Sequence, residues 1–260
     1  MKQFITILFL TIIICSCQKE TATELKTKTK NESDNWIYLF DGTSTEGWRA
    51  YNGDALPPGW IASDGTLTFD TTLAVVPGYQ GASDIIYGLE EFENFELYLE
   101  WKLPEGGNSG IFYHLKEGYN GPPEVSPEYQ LIDDLNYTKI HDITEYNLSL
   151  GHTENPSELQ PLQQTASDYA MYPANANEKI LNPIGEWNST TIIFTADRVE
   201  HWLNGKMLLS FEPWSKDWYD RKNNGKWKDI PDYGKFKTGY IGLQDQGSPL
   251  WFKNIKIKKL

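Results

Sequence analysis

The chain has 260 residues, which bounds it to one large domain or two small ones. Its formal net charge of −13 at pH 7 repels phosphate backbones and argues against nucleic acid as a partner. Aromatic residues make up 14% of the chain, with ten Trp, which suits a β-sandwich core and equally a sugar-binding face.

Residues 1–16 read as a lipoprotein signal peptide. Lys2 is the charged start, and Phe4–Ile14 is an apolar run too short to span a bilayer as a permanent helix. The following Ile14-Cys15-Ser16-Cys17 resembles a bacterial lipobox, with small Ser16 before the cut and Cys17 as the lipidated residue. Cleavage there removes Cys15 and acylates Cys17, so the mature fold is expected to hold no disulfide. Loss of Lys2 takes the formal charge to −14. Residues 17–35, rich in Lys, Thr, Glu, Asn and Ser, read as a flexible tether. The expected location is the bacterial cell envelope, in the outer membrane, with membrane contact only through the lipid.

The ordered domain is expected at 36–260. Trp36–Phe40 reads as a first strand, and Trp60–Asp70 as a hairpin turning at Asp64-Gly65. Ile85–Tyr87 is a short strand. Phe95–Leu103 is the clearest: Phe95, Leu97, Leu99, Trp101 and Leu103 alternate with Glu96, Tyr98, Glu100 and Lys102. A turn is expected at Asn108-Ser109-Gly110, then strands at 111–115 and 128–133. On the latter, Glu128, Gln130 and Ile132 share one face, and Tyr129, Leu131 and Asp133 the other. Residues 135–186 are a long polar insertion. Thr190–Phe194 is a strand, and Val199–Leu203 and Lys206–Phe211 flank the hairpin dipeptide Asn204-Gly205. A second insertion, 213–235, precedes strands at Gly239–Gln244 and Leu250–Lys258. The chain shows no internal repeat and no long amphipathic helix. Many short strands with turns between them predict an all-β, jelly-roll-like sandwich of two antiparallel sheets carrying long loop insertions.

The segments WIYLFDGTSTEGW, GGNSGIF, EYQLIDD, WNSTTIIF, HWLNGK, GYIGLQDQG and WFKNIKIKKL occur in that order. As a set they resemble the 3-keto-disaccharide hydrolase domain family, over about residues 36–260. The resemblance implies a concanavalin-A-like fold and action on glycosides whose sugar carries a ketone at C3. Members are often exported proteins of glycan-degrading bacteria. Where the family often has His in a QDHG motif, this chain has Gln246.

Glu128 is the first candidate for an acid/base, because a carboxyl amid Tyr, Leu and Ile is costly to bury without a partner. His201, in register with Val199 and Leu203 and inside the family's HxLNG motif, is the second catalytic candidate; by position it is also a natural core residue. Asn108, His114, Gln130, Gln244 and Asp245 are candidates for sugar hydroxyls, and Trp251 for stacking on a ring. His141 and His152 lie in the first insertion. The run Glu128-Tyr-Gln130-Leu-Ile-Asp133 also loosely resembles the E-x-D-x-x-E strand of laminarinase-like glycosidases, with Gln for the middle Asp and Asp for the last Glu. Retaining hydrolysis wants two carboxyls about 5–5.5 Å apart, and a plain strand turns Asp133 away from Glu128. No metal or cofactor signature stands out, and a divalent cation on scattered carboxylates is left open. Two functions remain, each with a carbohydrate partner. One is an enzyme that cleaves 3-keto-glycosides by C2 proton abstraction and elimination, or by net hydrolysis. The other is a lectin-like binding lipoprotein. Convergence of Glu128, His201 and Gln244 in one cleft would favour the enzyme.

Overall fold

The computed structural model describes residues 35–74 and 83–260; the lipobox and almost all of the expected tether lie outside them. No described helix is long and apolar enough to cross a membrane. Two antiparallel sheets pack face to face. The larger contains β1 (Ile37–Tyr38), β3 (Trp60–Ser63), β4 (Thr66–Phe69), β6 (Phe95–Lys102), β9 (Asn188–Phe194), β10 (Val199–Leu203), β11 (Lys206–Phe211) and β13 (Leu250–Lys259). Its order is β11-β10-β9-β6-β13-β4-β3, with β1 also paired to β13. The smaller contains β2 (Trp48–Ala50), β5 (Ile85–Tyr87), β7 (Asn108–Leu115), β8 (Glu128–Ile132) and β12 (Tyr240–Leu243), in the order β2-β5-β12-β7-β8. This is the two-sheet, jelly-roll-like sandwich that the alternation predicts.

The strand pattern follows from burial. On β6, Phe95, Leu97, Leu99 and Trp101 are buried and the residues between them are not. Each such side chain withdrawn from water contributes about 1.5–3 kcal/mol. These residues meet Ile85, Tyr87, Ile111, Tyr113, Tyr129, Leu131 and Leu243 of the smaller sheet in one continuous core. Both short hairpins close on residues with positive φ, Asp64 (49°) with Gly65 (78°) and Asn204 (49°) with Gly205 (77°). That backbone twist matches the strands it joins.

Three local expectations change. Asn108, Ser109 and Gly110 form the first part of β7 instead of a turn, and the bend before it lies at Gly106, whose φ is +68°. Trp48–Ala50 is an additional short strand. The second insertion holds a helix, α3 (Lys216–Asn224), capped by Ser215 Oγ, which accepts from the Trp218 amide. The first insertion carries two shorter ones, α1 (Tyr137–Ile140) and α2 (Thr144–Ser149).

The first insertion is pinned to the edge of β8. The Ala166 amide donates to the Gln130 carbonyl (3.0 Å), the Gln130 amide to Ser167 (3.1 Å) and the Tyr169 amide to Glu128 (2.9 Å). Thr165 Oγ1 bridges the Ile132 amide and carbonyl, and Asp134 pairs with Lys179 at 2.5 Å. Segment 166–169 thus extends the smaller sheet past β8 and carries the insertion over its outer face.

Candidate active site

The outer face of the smaller sheet carries the polar side chains. Antiparallel register sets Gly110 opposite Gln130, Phe112 opposite Glu128 and Asn108 opposite Ile132. Residues directly opposite share a face. Glu128, Gln130 and Asn108 therefore stand together, and Gln130 Nε2 donates to Asn108 Oδ1 at 3.4 Å. Gln244 follows β12 and joins them through its amide, which donates to the Gly110 carbonyl (2.9 Å). Gly110 makes room for the central group: a Cβ there would lie 2.1 Å from Glu128 Oε1. A side chain at that position would push the carboxyl aside.

The two insertions turn this face into a cleft of about 440 Å³, with Glu128, Gln130, Asn108, Gln244 and Gln246 in its lining. That volume falls in the usual range for small-molecule sites. Tyr146 and Tyr169 of the first insertion and Lys226 of the second complete it. At one end Ile86, Phe112, Leu115 and Val125 form a small second apolar cluster on the same outer face.

Glu128 is 5% exposed, and none of the described residues donates a hydrogen bond to its carboxyl. Burial pushes the group up to about 8. The Lys226 ammonium pulls the other way, while Asp84 and Asp168 add to the rise. Asp84, just ahead of β5, was not a candidate from sequence; burial raises it to about 7. Its Oδ1 accepts from the Asp245 amide at 2.8 Å, which braces the loop that carries Gln244 and Gln246. Asp133 is committed elsewhere, accepting from the Gly106, Leu135 and Asn136 amides. It caps the turn after β8 and supplies no second carboxylate beside Glu128.

Four expected site residues stand outside this cleft. His201 lies on the inner face of β10, fully buried, 4.7 Å ring to ring from Tyr129. Its Nδ1 donates to the Ala166 carbonyl at 3.0 Å, so Nε2 accepts from the Tyr113 hydroxyl at 3.3 Å. Burial lowers its proton affinity to a pKa of about 4. It sits behind β8, with the sheet between it and Glu128. The structure therefore corrects the expectation that Glu128, His201 and Gln244 converge: Glu128 and Gln244 do, and His201 does not. His114 adopts φ +52° within β7, packs 4.1 Å from Phe194 and meets the Glu93 carbonyl at 2.8 Å, buried from any sugar. Asp245 is fully buried and accepts from the Ser83 and Gly247 amides. Trp251 sits opposite Lys102 on the outer face of the larger sheet, its ring 4.6 Å from the Lys102 ammonium. His141 is exposed, with Nε2 3.1 Å from the Gly106 carbonyl. Among the described residues, no group of three or more His, Cys, Asp and Glu could hold a metal ion.

Sequence reading missed Asp84, Tyr146, Tyr169 and Lys226. The last three lie in the insertions, where no alternation fixes which side chain faces a site. The available signal was general: long insertions in a compact domain tend to fold over its site.

Fold and cleft together describe a β-sandwich with a polar, carboxyl-floored site on one sheet, walled by two insertions. The 3-keto-alpha-glucoside-1,2-lyase-like domain matches residues 35–258, and the chain belongs to that family. A 3-keto-disaccharide hydrolase of Bacteroides thetaiotaomicron is 32% identical over 249 residues, which is 88% of this chain and 80% of the relative. A crystal structure of a candidate glycosyl hydrolase from Parabacteroides distasonis shares 38% identity with a TM-score of 0.75, covering 88% of this chain and 96% of that one. A second from the same organism shares 25% identity with a TM-score of 0.59, covering 86% and 99%.

Proposed function

We propose that this chain cleaves the glycosidic bond of sugars oxidised to a ketone at C3, and that Glu128 begins the reaction by removing the proton from C2. The relatives' names support glycoside cleavage. The observation that carries the mechanism is Glu128 itself: a carboxyl without a hydrogen-bond donor among the described residues, raised to about 8 and opening on the cleft. A base near the working pH is well matched to proton abstraction. The ketone acidifies C2–H. The C–H electron pair becomes the C2=C3 enolate, with negative charge on the C3 oxygen. That charge returns to the ring as C1=C2 and expels the C1–O bond. The leaving oxygen takes a proton and departs as the alcohol. Elimination leaves a 1,2-unsaturated 3-keto sugar; addition of water across C1=C2 completes net hydrolysis. Gln130, Asn108 and Gln244 are the groups for sugar hydroxyls.

Oxocarbenium hydrolysis of an unoxidised glycoside needs a second carboxyl across the bond. Asp133 is taken up by the amides of the turn it caps, and Asp84 accepts from the Asp245 amide. One base suffices when the substrate supplies the ketone. The test is a synthetic aryl 3-keto-glycoside assayed beside its unoxidised parent. Cleavage of the ketone alone is expected, and equal cleavage of both overturns the reading. Binding of both with cleavage of neither would favour the lectin-like alternative. Residues 2–17 support the further reading that the protein is anchored in the cell envelope through acylated Cys17. Cys17→Ala should then release it from membranes or block its processing, and an unchanged membrane fraction overturns that.

A further inference from the structure

The wall of the cleft holds a cluster of donors. Lys226 Nζ donates to the Tyr146 hydroxyl at 2.8 Å and to the Tyr169 hydroxyl at 3.2 Å. The two hydroxyls are hydrogen-bonded to each other. The ammonium also lies 4.2 Å from the Tyr169 ring centre and 4.6 Å from that of buried Trp227. Each piece comes from a different part of the chain: Tyr146 from α2, Tyr169 from the segment docked on β8, Lys226 from the turn after α3.

A count of hydrogens gives the cluster a direction. An ammonium has three N–H groups, and two go to the phenol oxygens. The phenols have one hydrogen each, and their mutual bond uses one. Among the described residues, one N–H and one O–H remain without an acceptor, both on side chains that line the cleft. The cluster therefore offers a ligand donors and positive charge. Glu128, in the lining of the same cleft, offers acceptors only once it is ionised. Lys226 and Glu128 attract one another electrostatically, yet the ammonium hydrogen-bonds the phenols instead. Base and cation both line the cleft that a substrate would enter.

Resting on the proposed function, we propose that Lys226, with Tyr146 and Tyr169, is the oxyanion site that holds the C3 oxygen of the substrate as it becomes an enolate. C2–H and the C3 oxygen sit on adjacent ring carbons, so a substrate whose C2 meets Glu128 can present its ketone to the Lys226 cluster that lines the same cleft. No proton has to reach the C3 oxygen. The ammonium and the phenol stabilise its charge while the electron pair is stored there, and release it when C1–O breaks. Pre-placed donors act most strongly where charge develops during the reaction, in a site that excludes water.

The test compares Lys226→Met, Lys226→Arg and Tyr169→Phe with the wild type on an aryl 3-keto-glycoside. Turnover and exchange of the C2 hydrogen are both followed in D₂O. Loss of one oxyanion donor costs about 10²–10³ in kcat in comparable sites. Lys226→Met is expected to lose kcat on that scale with KM within a few-fold, and C2 exchange should fall in step. Lys226→Arg, which keeps charge and donors, should recover part of the loss, and Tyr169→Phe should lose about tenfold. A Lys226→Met kcat within threefold of wild type overturns the assignment. So does a rise in KM with unchanged kcat, which would make the cluster a binding subsite. If Lys226→Met does not fold, by its thermal transition, Tyr169→Phe and Tyr146→Phe carry the same test. Failure of the mechanism itself is separable. Wild-type cleavage with neither C2 exchange nor a rate change on C2-deuterated substrate removes the elimination, whatever the variants do.

Discussion

The sheet around β8 separates two polar groupings made of similar residues in opposite circumstances. On the cleft side Glu128 faces Lys226, Tyr146 and Tyr169, in a space that a sugar can enter. On the core side Asp168, Tyr113 and His201 are buried among Tyr129 and Phe211. Burial raises both carboxyls to about 8. Among the described residues, neither Asp168 oxygen has a partner in strict hydrogen-bond geometry, although the Tyr113 hydroxyl is near enough to act on it as a weak donor. Perturbed proton affinity therefore does not distinguish the site from the core here. Access does, together with a facing group of the right charge. The same residue types on the inner side serve to fix β8, β10 and segment 166–169 against one another.

The comparison breaks most visibly at Glu128. Glu128→Gln keeps the shape of the side chain and removes its basicity. The expected loss in kcat is about 10²–10⁴, the usual worth of a general base, with the thermal transition near that of wild type. In the wild type, kcat/KM should rise with pH and level off above about 8, because only the deprotonated carboxylate accepts the C2 proton. A rate within a few-fold of wild type would return Glu128 to a structural role and put the two sides of the sheet on equal terms.

His201→Phe should do the reverse. The ring would fit beside Tyr129 and Phe211, but the Ala166 carbonyl would lose its donor and the Tyr113 hydroxyl its acceptor. Unmet buried partners cost about 1–3 kcal/mol each. Denaturant titration should show a loss of about 2–4 kcal/mol, with kcat of the folded protein within threefold. A loss in kcat comparable to that of Glu128→Gln, with unchanged stability, would restore the catalytic role expected from the sequence.

Asp168→Asn sharpens the contrast through pH. Asp168 binds its proton more tightly folded, at about 8, than unfolded, near 3.8. Its contribution is full below the unfolded value and is lost as pH rises through the folded one. Glu128 and Asp84 act in the same direction. His201 and His114, lowered to about 4 when folded, act oppositely: their contribution is full above about 6.5 and lost as pH falls toward 4. The wild type should thus be most stable in mildly acidic solution and weaken toward pH 9. Asp168→Asn should weaken less, by about 1–3 kcal/mol at the alkaline end, with activity nearly unchanged. An identical pH slope in wild type and variant would mean that Asp168 is already ionised in the fold.

The strands were legible in the sequence because sheet burial repeats every two residues, and β6 shows that period over eight residues. The Asp64-Gly65 and Asn204-Gly205 turns were legible because few residues accept positive φ. Part of the site was legible for the same reason: Glu128 and Gln130 share a face two residues apart on β8, whereas Asn108 read as part of a turn and its place opposite Ile132 came only with β7. His201 shows where motif and period compete. It alternates in phase with Val199 and Leu203, a phase that places it in the core, while its motif suggested a site. The structure follows the phase. Lys226, Tyr146 and Tyr169 were not legible, because their meeting depends on how two aperiodic insertions fold across a sheet. Gly110 read as a turn former because glycine marks both turns and close approaches, and only the Glu128 carboxyl lying over it separates the two.

Gln246 offers the mildest test. It lies at the exposed rim of the cleft, where the family often has His. If that His were the essential base, this chain would lack it, and Gln246→His should raise turnover by orders of magnitude. If Glu128 is the base, position 246 meets the substrate at the rim. An exposed His then adds only one hydrogen-bonding group and a charge that titrates near pH 6.5. The expected change in kcat is within about threefold, with a small shift in KM as pH crosses that value, since exposed groups in water contribute under about 1 kcal/mol. A gain above about tenfold, together with a pH–rate profile moved from about 8 toward 6.5, would transfer the proton-abstracting role from the floor of the cleft to its rim.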